Sequence, residues 1–423
     1  FCIVTLQLAD NQGACTNVQT TSVSGKLVSN SGKNIGNAAI ILDNGISEML
    51  SSTISTVNGD YDFPAAVMHY DYNISSNKND DYLNGVSTLD LVLIQRHVLA
   101  LTKLTDPFSI IAADANNDEK VTAQDLVELR KLILGIYTVL PKNKSWRFIN
   151  SAQSFSDIEN PWPLTEKINI ANLSHTMINQ NFIAVKVGDV NGSAVANVNE
   201  VSVESRSNVV LTAENTAVET NSIHTAVFSA DVEKVYGLQF TLTLNNADLA
   251  DVYVGNNKLS DANIAKISDN KYTISWNDIN AVNGKDILTV NVVSKGNASV
   301  SDLISMNSTV TPAEIYSGEN LQTSKLSLRF AGKEDATEFA VYQNEPNPFN
   351  DKTIITFTLP EAADATLKVF DVTGKVIYTN NGSFGKGMNS FTLTRNDLPS
   401  SGVMIYKIES GANVATKKMI GLE

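Results

Sequence analysis

Two segments of the chain repeat one pattern at an offset of 35 residues. In the second, residues 114–125, oxygen-bearing side chains occupy positions 1, 3, 5, 9 and 12 of a twelve-residue loop, and position 7 offers its backbone carbonyl. A hard cation such as Ca2+ takes about six to eight oxygen ligands, and this spacing supplies them from one tight turn. An apolar run with helical spacing follows each segment. The pattern therefore predicts a duplicated loop–helix unit suited to calcium.

The two copies agree both in the loop and along the helix that follows it. The matching pairs are Val86 with Val121, Ser87 with Thr122, Asp90 with Asp125, Leu91 with Leu126, Val92 with Val127, Arg96 with Lys131 and Leu99 with Leu134. This duplicated unit, residues 77–140, resembles a type I dockerin domain. In that family each loop binds calcium and the paired helices dock onto a cohesin module, so the resemblance implies Ca2+ as the cofactor.

By this resemblance the second loop is nearly complete and the first is degenerate. The implied ligands of the second loop are Asp114, Asn116, Asp118, Lys120 through its carbonyl, Thr122 and Asp125. Those of the first are Asn79, Asp81, Gly85, Ser87 and Asp90, with Leu83 where position 5 needs an oxygen. Asp80 or the turn at Asp189 and Asn191 is a candidate source of that oxygen. The alternative is that these clusters are only turns and helix N-caps, which also favour Asp, Asn and Ser.

The charge balance excludes some classes of partner. The net charge is −14, whereas a nucleic-acid-binding surface needs Lys and Arg to neutralise phosphates. Hydrophobic residues make up 43% of the chain and charged residues 18%, which is ordinary for a folded protein. No apolar run approaches the roughly 20 residues that span a bilayer. We therefore expect a folded protein with no nucleic-acid partner and no transmembrane segment.

Short alternating strands lie on both sides of the repeat. Residues 1–14 alternate like the last strand of a preceding β domain, which predicts further chain upstream, and whether Cys2 pairs with Cys15 stays open. Residues 23–75 alternate between turns and resemble prealbumin-like or carboxypeptidase-regulatory-like β-sandwiches. Residues 141–200 are predicted to form a strand-rich connector and a linker.

Residues 207–331 predict a larger β-sandwich. Alternation is clear from Leu238 to Leu244, from Tyr272 to Trp276 and from Ile287 to Val292. The region is similar to cohesin-like sandwiches at the level of the fold. It is therefore a candidate partner for the loop–helix repeat, in the same or in a neighbouring molecule.

The C-terminal region, residues 338–423, carries the most specific motifs. They are Glu345-Pro346-Asn347-Pro348-Phe349-Asn350, Asp371-Val372-Thr373-Gly374-Lys375 and Leu398-Pro399-Ser400-Ser401-Gly402, the last followed by an alternating strand. Together they resemble the type A C-terminal sorting domain of the type IX secretion system of Bacteroidetes. The expected fold is a seven-strand sandwich. The resemblance implies recognition by the type IX secretion machinery and export through the outer membrane to the cell surface.

The sequence shows no catalytic motif. The four histidines, at positions 69, 97, 175 and 224, are scattered, and there is no nucleophile elbow, P-loop or dinucleotide fingerprint. We therefore predict that this chain is not an enzyme, although carboxylate pairs for glycoside hydrolysis and a catalytic domain upstream stay open.

The combined prediction is a multidomain, mainly β chain, in which β-sandwich modules lie in series with a small dockerin-like calcium loop–helix pair. The first functional hypothesis is a calcium-stabilised C-terminal stalk and export region of a large secreted surface protein, such as an adhesin or filament subunit. The second is a dockerin-type module that docks a cohesin-like partner through Thr88, Arg96, Ala123, Arg130 and Lys131. The third is an accessory region of a secreted hydrolase.

Overall fold

The structure, a computed structural model, describes residues 18–46, 50–196, 207–331, 339–344, 346–398 and 401–422. The fold is mainly β, as predicted. The predictions for residues 1–14, including Cys2 and Cys15, lie outside this range. Within it, none of the helices has both the length and the apolar character needed to cross a membrane.

The first β unit consists of two four-stranded sheets that share one core. One sheet has the order β4-β1-β8-β6 and the other the order β3-β2-β5-β7. The strands are β1 Thr20–Ser29, β2 Ala39–Asp43, β3 Ser51–Ile54, β4 Asp60–Val67, β5 Tyr72–Asn77, β6 Trp146–Asn150, β7 Ile168–Ile170 and β8 Phe182–Lys186.

The first unit includes the segment that was predicted as a separate connector. β8 pairs in parallel with β1, with Leu27 opposite Phe182, and β7 pairs with β5. Trp146, Phe148 and Phe182 lie in the same core as Leu27. The boundaries predicted at residues 75 and 141 therefore do not separate two cores. Instead, the loop–helix repeat is inserted between two strands of one sandwich.

Three helices form the inserted unit: α1 Thr88–Val98, α2 Pro107–Ala113 and α3 Ala123–Ile133. Capping boxes fix the starts of α1 and α3, because the side chains of Asp90 and Asp125 accept the amides of Ser87 and Thr122. The apolar faces of both helices pack together and against Val185 and Val187, which lie in β8 and directly after it. The insert is thus anchored on the first sandwich.

The second β unit has a core made only of residues between Leu211 and Leu326, with partly buried residues up to Phe330 around it. Its main sheet runs β14-β13-β17-β11-β9-β21-β20-β12-β16-β15, with β19 beside β12, and β10 pairs separately with β18. The elements are β9 Asn208–Glu214, β10 Ala217–Val218, β11 Ile223–Ser229, β12 Val235–Leu244, β13 Ala247–Val254, β14 Asn257–Lys258, β15 Ile264–Ser268, β16 Lys271–Val282, β17 Asp286–Ser294, β18 Ala298–Ser299, α4 Val300–Leu303, β19 Ile304–Asn307, β20 Glu314–Ser317 and β21 Gln322–Ala331.

Among the described residues of the C-terminal unit, seven strands form two sheets around one core. The sheet orders are β22-β23-β26 and β25-β24-β27-β28. The strands are β22 Ala340–Val341, β23 Lys352–Leu359, β24 Ala363–Phe370, β25 Val376–Phe384, β26 Gly387–Thr394, β27 Gly402–Ser410 and β28 Asn413–Gly421. A 3-10 turn, Arg395–Asp397, precedes β27.

Candidate calcium loop and docking interface

The second loop, residues 114–125, folds around the carboxylates of Asp114 and Asp125, which are both fully buried. The two oxygens of Asp114 accept the amides of Asp118 and Glu119, each at 3.0 Å. Asp125 accepts the amide of Asn116 at 3.1 Å and that of Thr122 at 2.8 Å. These bonds hold the first and last predicted ligands at opposite ends of one closed turn.

One buried oxygen in this loop lacks a hydrogen-bond partner. Among the described residues, Oδ1 of Asn116 is buried and accepts no hydrogen bond, and burying an unsatisfied acceptor is costly. Asn116 occupies position 3 of the twelve-residue loop and is the second of its predicted ligands. No three His, Cys, Asp or Glu side chains in the described ranges converge into a metal-holding group, so amide, hydroxyl and carbonyl oxygens must complete the set. Such hard oxygen donors suit Ca2+, and the residues present therefore fit it.

Burial raises the pKa of Asp114 to about 6, and the nearby charges of Asp125 and Asp118 also raise it. The pKa of Asp125 is raised as well, again mainly by burial. A bound cation would favour the ionised form of both carboxylates. The electrostatics of the loop therefore match a site that is completed by a positive ion.

The raised pKa of Asp114 predicts competition between protons and calcium in this loop. Because the metal-free carboxylate takes up a proton as the pH falls through about 6, calcium binding should weaken in the same range. We expect the dissociation constant of this site to be about tenfold higher at pH 5 than at pH 7. Calorimetric titration at the two pH values measures the change, and an equal affinity at both would contradict it.

The predicted ligands of the first loop are only partly brought together. Ser87 and Asp90 lie at the start of α1, where they form its capping box. Oδ1 of Asn79 already accepts the hydroxyl of Tyr82 at 2.6 Å and the amide of Ser145 at 2.8 Å. Asp81 is exposed, and Leu83 is half-buried. Positions 1 to 5 of this loop thus differ from those of the second.

A docking interface joins the inserted helices to the second β unit through a polar face of its sheet. β12 and β16 turn Leu238, Phe240, Ile274 and Trp276 into the core. Their alternate residues Gln239, Thr273, Ser275 and Asn277 are polar, yet they too are buried. A strand with two buried faces must be covered on both sides, and α1 and α3 provide the hydrogen-bond partners on the polar side.

Thr88, the first residue of α1, lies at the centre of this interface and is fully buried. Its hydroxyl is 2.7 Å from that of Ser275, and its amide donates to Oε1 of Gln239 at 2.7 Å. Gly237 permits the close approach, because a Cβ there would lie 3.3 Å from the methyl group of Thr88. The helix N-terminus thus donates one of its free amides to the sheet.

Asn277 links both helices to the sheet. Its amide nitrogen donates to Oε1 of Gln95 at 2.6 Å, and its oxygen accepts the guanidinium of Arg130. Burial lowers the pKa of Arg130. At the rim, the guanidinium of Arg96 lies 4.5 Å from the centre of the Tyr236 ring, an attractive cation–π geometry.

The C-terminal end of α3 is also held by the second β unit. The hydroxyl of Thr273 donates to the carbonyl of Leu134 at 2.6 Å, and that of Thr311 donates to the carbonyl of Ile133 at 2.7 Å. Both hydroxyls are fully buried. They satisfy helix-end carbonyls that otherwise need water or a cap.

Three of the five predicted partner-binding residues lie in this interface: Thr88, Arg96 and Arg130. Ala123 is exposed, and Lys131 instead contacts Tyr137 and Glu128 within the insert. The sequence prediction missed Gln95 and the polar residues of β16. No sequence signal marks them, because the alternation of Thr273, Ser275 and Asn277 with apolar residues is also the pattern of a strand with one face in solvent.

Asn277→Leu should destabilise the docked state by about 1–3 kcal/mol, because it leaves a buried guanidinium and Gln95 without their partner. Denaturant unfolding of the full chain measures the loss. Asn280→Leu is the matched control, since Asn280 lies in the same strand but is exposed. Equal stabilities of the two variants would show that the Asn277 contacts contribute nothing.

Family models match two regions of the chain. Residues 80–134 match the model of the dockerin type I domain, and residues 341–421 match the model of the secretion system C-terminal sorting domain. The chain carries both a dockerin domain and a sorting domain. The sorting domain is of the type IX system, so the protein is secreted through the outer membrane to the cell surface. Type I dockerin domains bind calcium in general.

The solved structures that the chain matches include two cohesins and a pilin subunit. The sixth cohesin of scaffoldin B from Acetivibrio cellulolyticus, solved with a dockerin, is 14% identical and covers 29% of this chain and 95% of its own, with a TM-score of 0.23. A non-cellulosomal cohesin from Archaeoglobus fulgidus is 16% identical over 31% and 96%, with a TM-score of 0.21. The major pilin subunit of Bacillus cereus is 11% identical over 95% and 92%, also with a TM-score of 0.21. No curated protein matches the chain significantly.

Proposed function

We propose that this chain is a non-catalytic, calcium-stabilised stalk and export region of a cell-surface structural protein such as an adhesin. In this role its dockerin helices hold the neighbouring β units together instead of recruiting a separate molecule. The observation that carries the proposal is the buried polar interface, in which Thr88 and Asn277 each satisfy two partners across the two units. The type IX sorting domain supports the surface location.

The covalent link between the inserted helices and the second β unit favours docking within one chain, which we call the closed arrangement. A partner tethered in the same chain presents an effective concentration in the millimolar range for short flexible links. A free module must therefore bind much more tightly, or be far more concentrated, to displace it. The insert is also anchored on the first sandwich through Val185 and Val187. Docking within the chain therefore connects the first sandwich, the insert and the second β unit in series. A stalk needs this kind of connection.

A capture experiment tests whether the dockerin helices are closed in the intact chain. The full chain is immobilised in calcium and exposed to labelled residues 207–331, a unit that has its own core. We expect no capture, because the helices already contact their sandwich. Gly237→Arg places a long side chain against Thr88 and frees the helices without altering them, so this variant should capture the added unit. Capture by the unaltered chain at a similar level would contradict a closed stalk.

A second candidate is exchange, in which the helices of one molecule dock onto the sandwich of another. The polar character of the interface favours it, since hydrogen-bonded interfaces between domains resemble transient ones. Two differently tagged copies of the full chain, mixed at high concentration and then diluted, test this candidate. Co-purification that Thr88→Arg abolishes would support exchange, and its absence would leave the closed stalk.

A further inference from the structure

A turn distant from the repeat reproduces the start of the second calcium loop. Asp189, Asn191 and Ser193 have the same spacing as Asp114, Asn116 and Asp118. Asp189 accepts the amides of Ser193 and Ala194 at 3.0 and 2.8 Å, as Asp114 accepts those of Asp118 and Glu119. The turn thus offers oxygens at positions 1, 3 and 5, and the residues at its positions 9 and 12, numbers 197 and 200, lie outside the described ranges.

A second half of the right kind lies directly beside the turn, in the first repeat. The hydroxyl of Ser193 donates to the carbonyl of Gly85 at 3.1 Å, and Asn84 exchanges two hydrogen bonds with the backbone of Val195 at 2.8 and 2.9 Å. A Cβ at Gly85 would lie 2.6 Å from the backbone nitrogen of Ala194, so this close approach requires glycine. The turn therefore stands where positions 1 to 5 of the first loop are expected.

Asp90 connects the two halves in nearly the same way as Asp125 does in the second loop. One oxygen of Asp90 accepts the amide of Ser87 at 2.9 Å, and the other accepts that of Val190, also at 2.9 Å. In the second loop the corresponding amides belong to Thr122 and Asn116. The register differs by one residue, because Val190 follows Asp189 directly whereas Asn116 is two residues after Asp114.

The two carboxylates of this composite loop are buried and repel each other. Asp90 is fully buried and Asp189 is 5% exposed. Burial raises the pKa of both, and the charge of Asp189 further raises that of Asp90. Two amines lie nearby, but among the described residues Lys186 donates to the carbonyls of Tyr82 and Val187, and Lys33 to those of Ala194 and Gly192. The charge of Lys186 lowers the pKa of Asp189, but burial outweighs it and that pKa stays raised.

We propose that the first calcium site is split across the chain. Asp189, Asn191 and Ser193 supply positions 1, 3 and 5, while the carbonyl of Gly85, Ser87 and Asp90 supply positions 7, 9 and 12. Asn79 and Asp81 lie outside this set: the amide oxygen of Asn79 accepts from Tyr82 and from Ser145, and Asp81 is exposed.

Such a site would connect segments 100 residues apart, from Asp90 to Val190. Because β8 belongs to the first sandwich and α1 to the inserted unit, calcium here would clamp the two together. This role goes beyond a loop that orders its own helix. It makes the orientation of the insert on the first sandwich dependent on calcium.

Calorimetric titration of calcium into the chelator-treated full chain tests the split site. We expect two ions per chain, one per chain in Asp189→Asn and one per chain in Asp114→Asn. Asn79→Ala is the matched control and should still bind two. Asn191→Ala provides a milder test, since Asn191 is exposed. It should weaken one of the two sites several-fold without unfolding the turn.

Two results would overturn the split site. One is a single binding event in the unaltered chain that Asp189→Asn leaves unchanged, which would mean that the two nearby lysines alone balance Asp90 and Asp189. The other is loss of one ion in Asn79→Ala with both ions retained in Asp189→Asn. Neither result bears on docking, which is measured through Thr88 and Asn277, so this inference and the closed stalk can fail separately.

Discussion

Replacing Thr88 by arginine is expected to release the inserted helices from the second β unit. The substitution removes two buried hydrogen bonds, to Ser275 and Gln239, and forces a charge into a fully buried position. Together these losses should cost on the order of 3 kcal/mol, roughly a hundredfold shift in the docking equilibrium. Small-angle X-ray scattering of the full chain should then report a larger radius of gyration than that of the unaltered protein.

Thr102→Arg is the matched control for this prediction. Thr102 is an exposed threonine just beyond α1, so the same change of charge and size should leave the scattering unaltered. If Thr88→Arg scatters like the control and unfolds at the same temperature, Thr88 is not a docking residue.

Removal of calcium should lower the melting temperature of the chain substantially. Calcium at a hundred times its dissociation constant stabilises the folded state by about 2.7 kcal/mol per site, because the unfolded chain offers no preformed site. Without the ion, nothing compensates the cost of burying the carboxylates of Asp114 and Asp125 and the unpaired oxygen of Asn116 in the second loop. Thermal unfolding in calcium and in chelator measures the difference.

The variant Asp114→Ala should lose a large part of this calcium response. Asp106→Ala is the matched control: Asp106 caps α2 by accepting the amide of Ser109 at 2.9 Å. Its loss should cost about 1 kcal/mol but leave the gain from calcium intact. Equal melting temperatures in calcium and in chelator for the unaltered chain would contradict a structural role of the ion.

The sequence was sufficient to predict features that depend on local spacing. The two loop–helix copies follow from the period of oxygen-bearing and apolar residues, and α1 and α3 begin directly after Ser87 and Thr122, the ninth positions of the two loops. The seven C-terminal strands follow from alternation between turns.

Features that depend on distant pairing were not predictable in the same way. The parallel pairing of β1 with β8 joins Leu27 to Phe182, and no local pattern indicates which strand a given strand will pair with. For the same reason the sequence raised the turn at Asp189 only as one of two sources for a missing oxygen. Its position beside Gly85 and Asp90 emerges only from the folded sandwich.

The sequence pattern of α1 and α3 also could not identify which of their residues contact the second β unit. Thr88, Arg96, Ala123, Arg130 and Lys131 were predicted as docking residues, but the helix pattern could not distinguish residues that contact a partner from residues in solvent. The structure separates them: Thr88 is buried against β16, whereas Ala123 is exposed.

Cleavage of the chain between its two halves measures the closed arrangement most directly. A protease site inserted between residues 200 and 201 allows the folded, calcium-loaded protein to be cut and then examined by gel filtration. If the dockerin helices hold the second β unit through the contacts of Thr88 and Asn277, the two fragments should elute together, and Thr88→Arg should separate them. Elution of the unaltered fragments as two independent peaks would contradict the account.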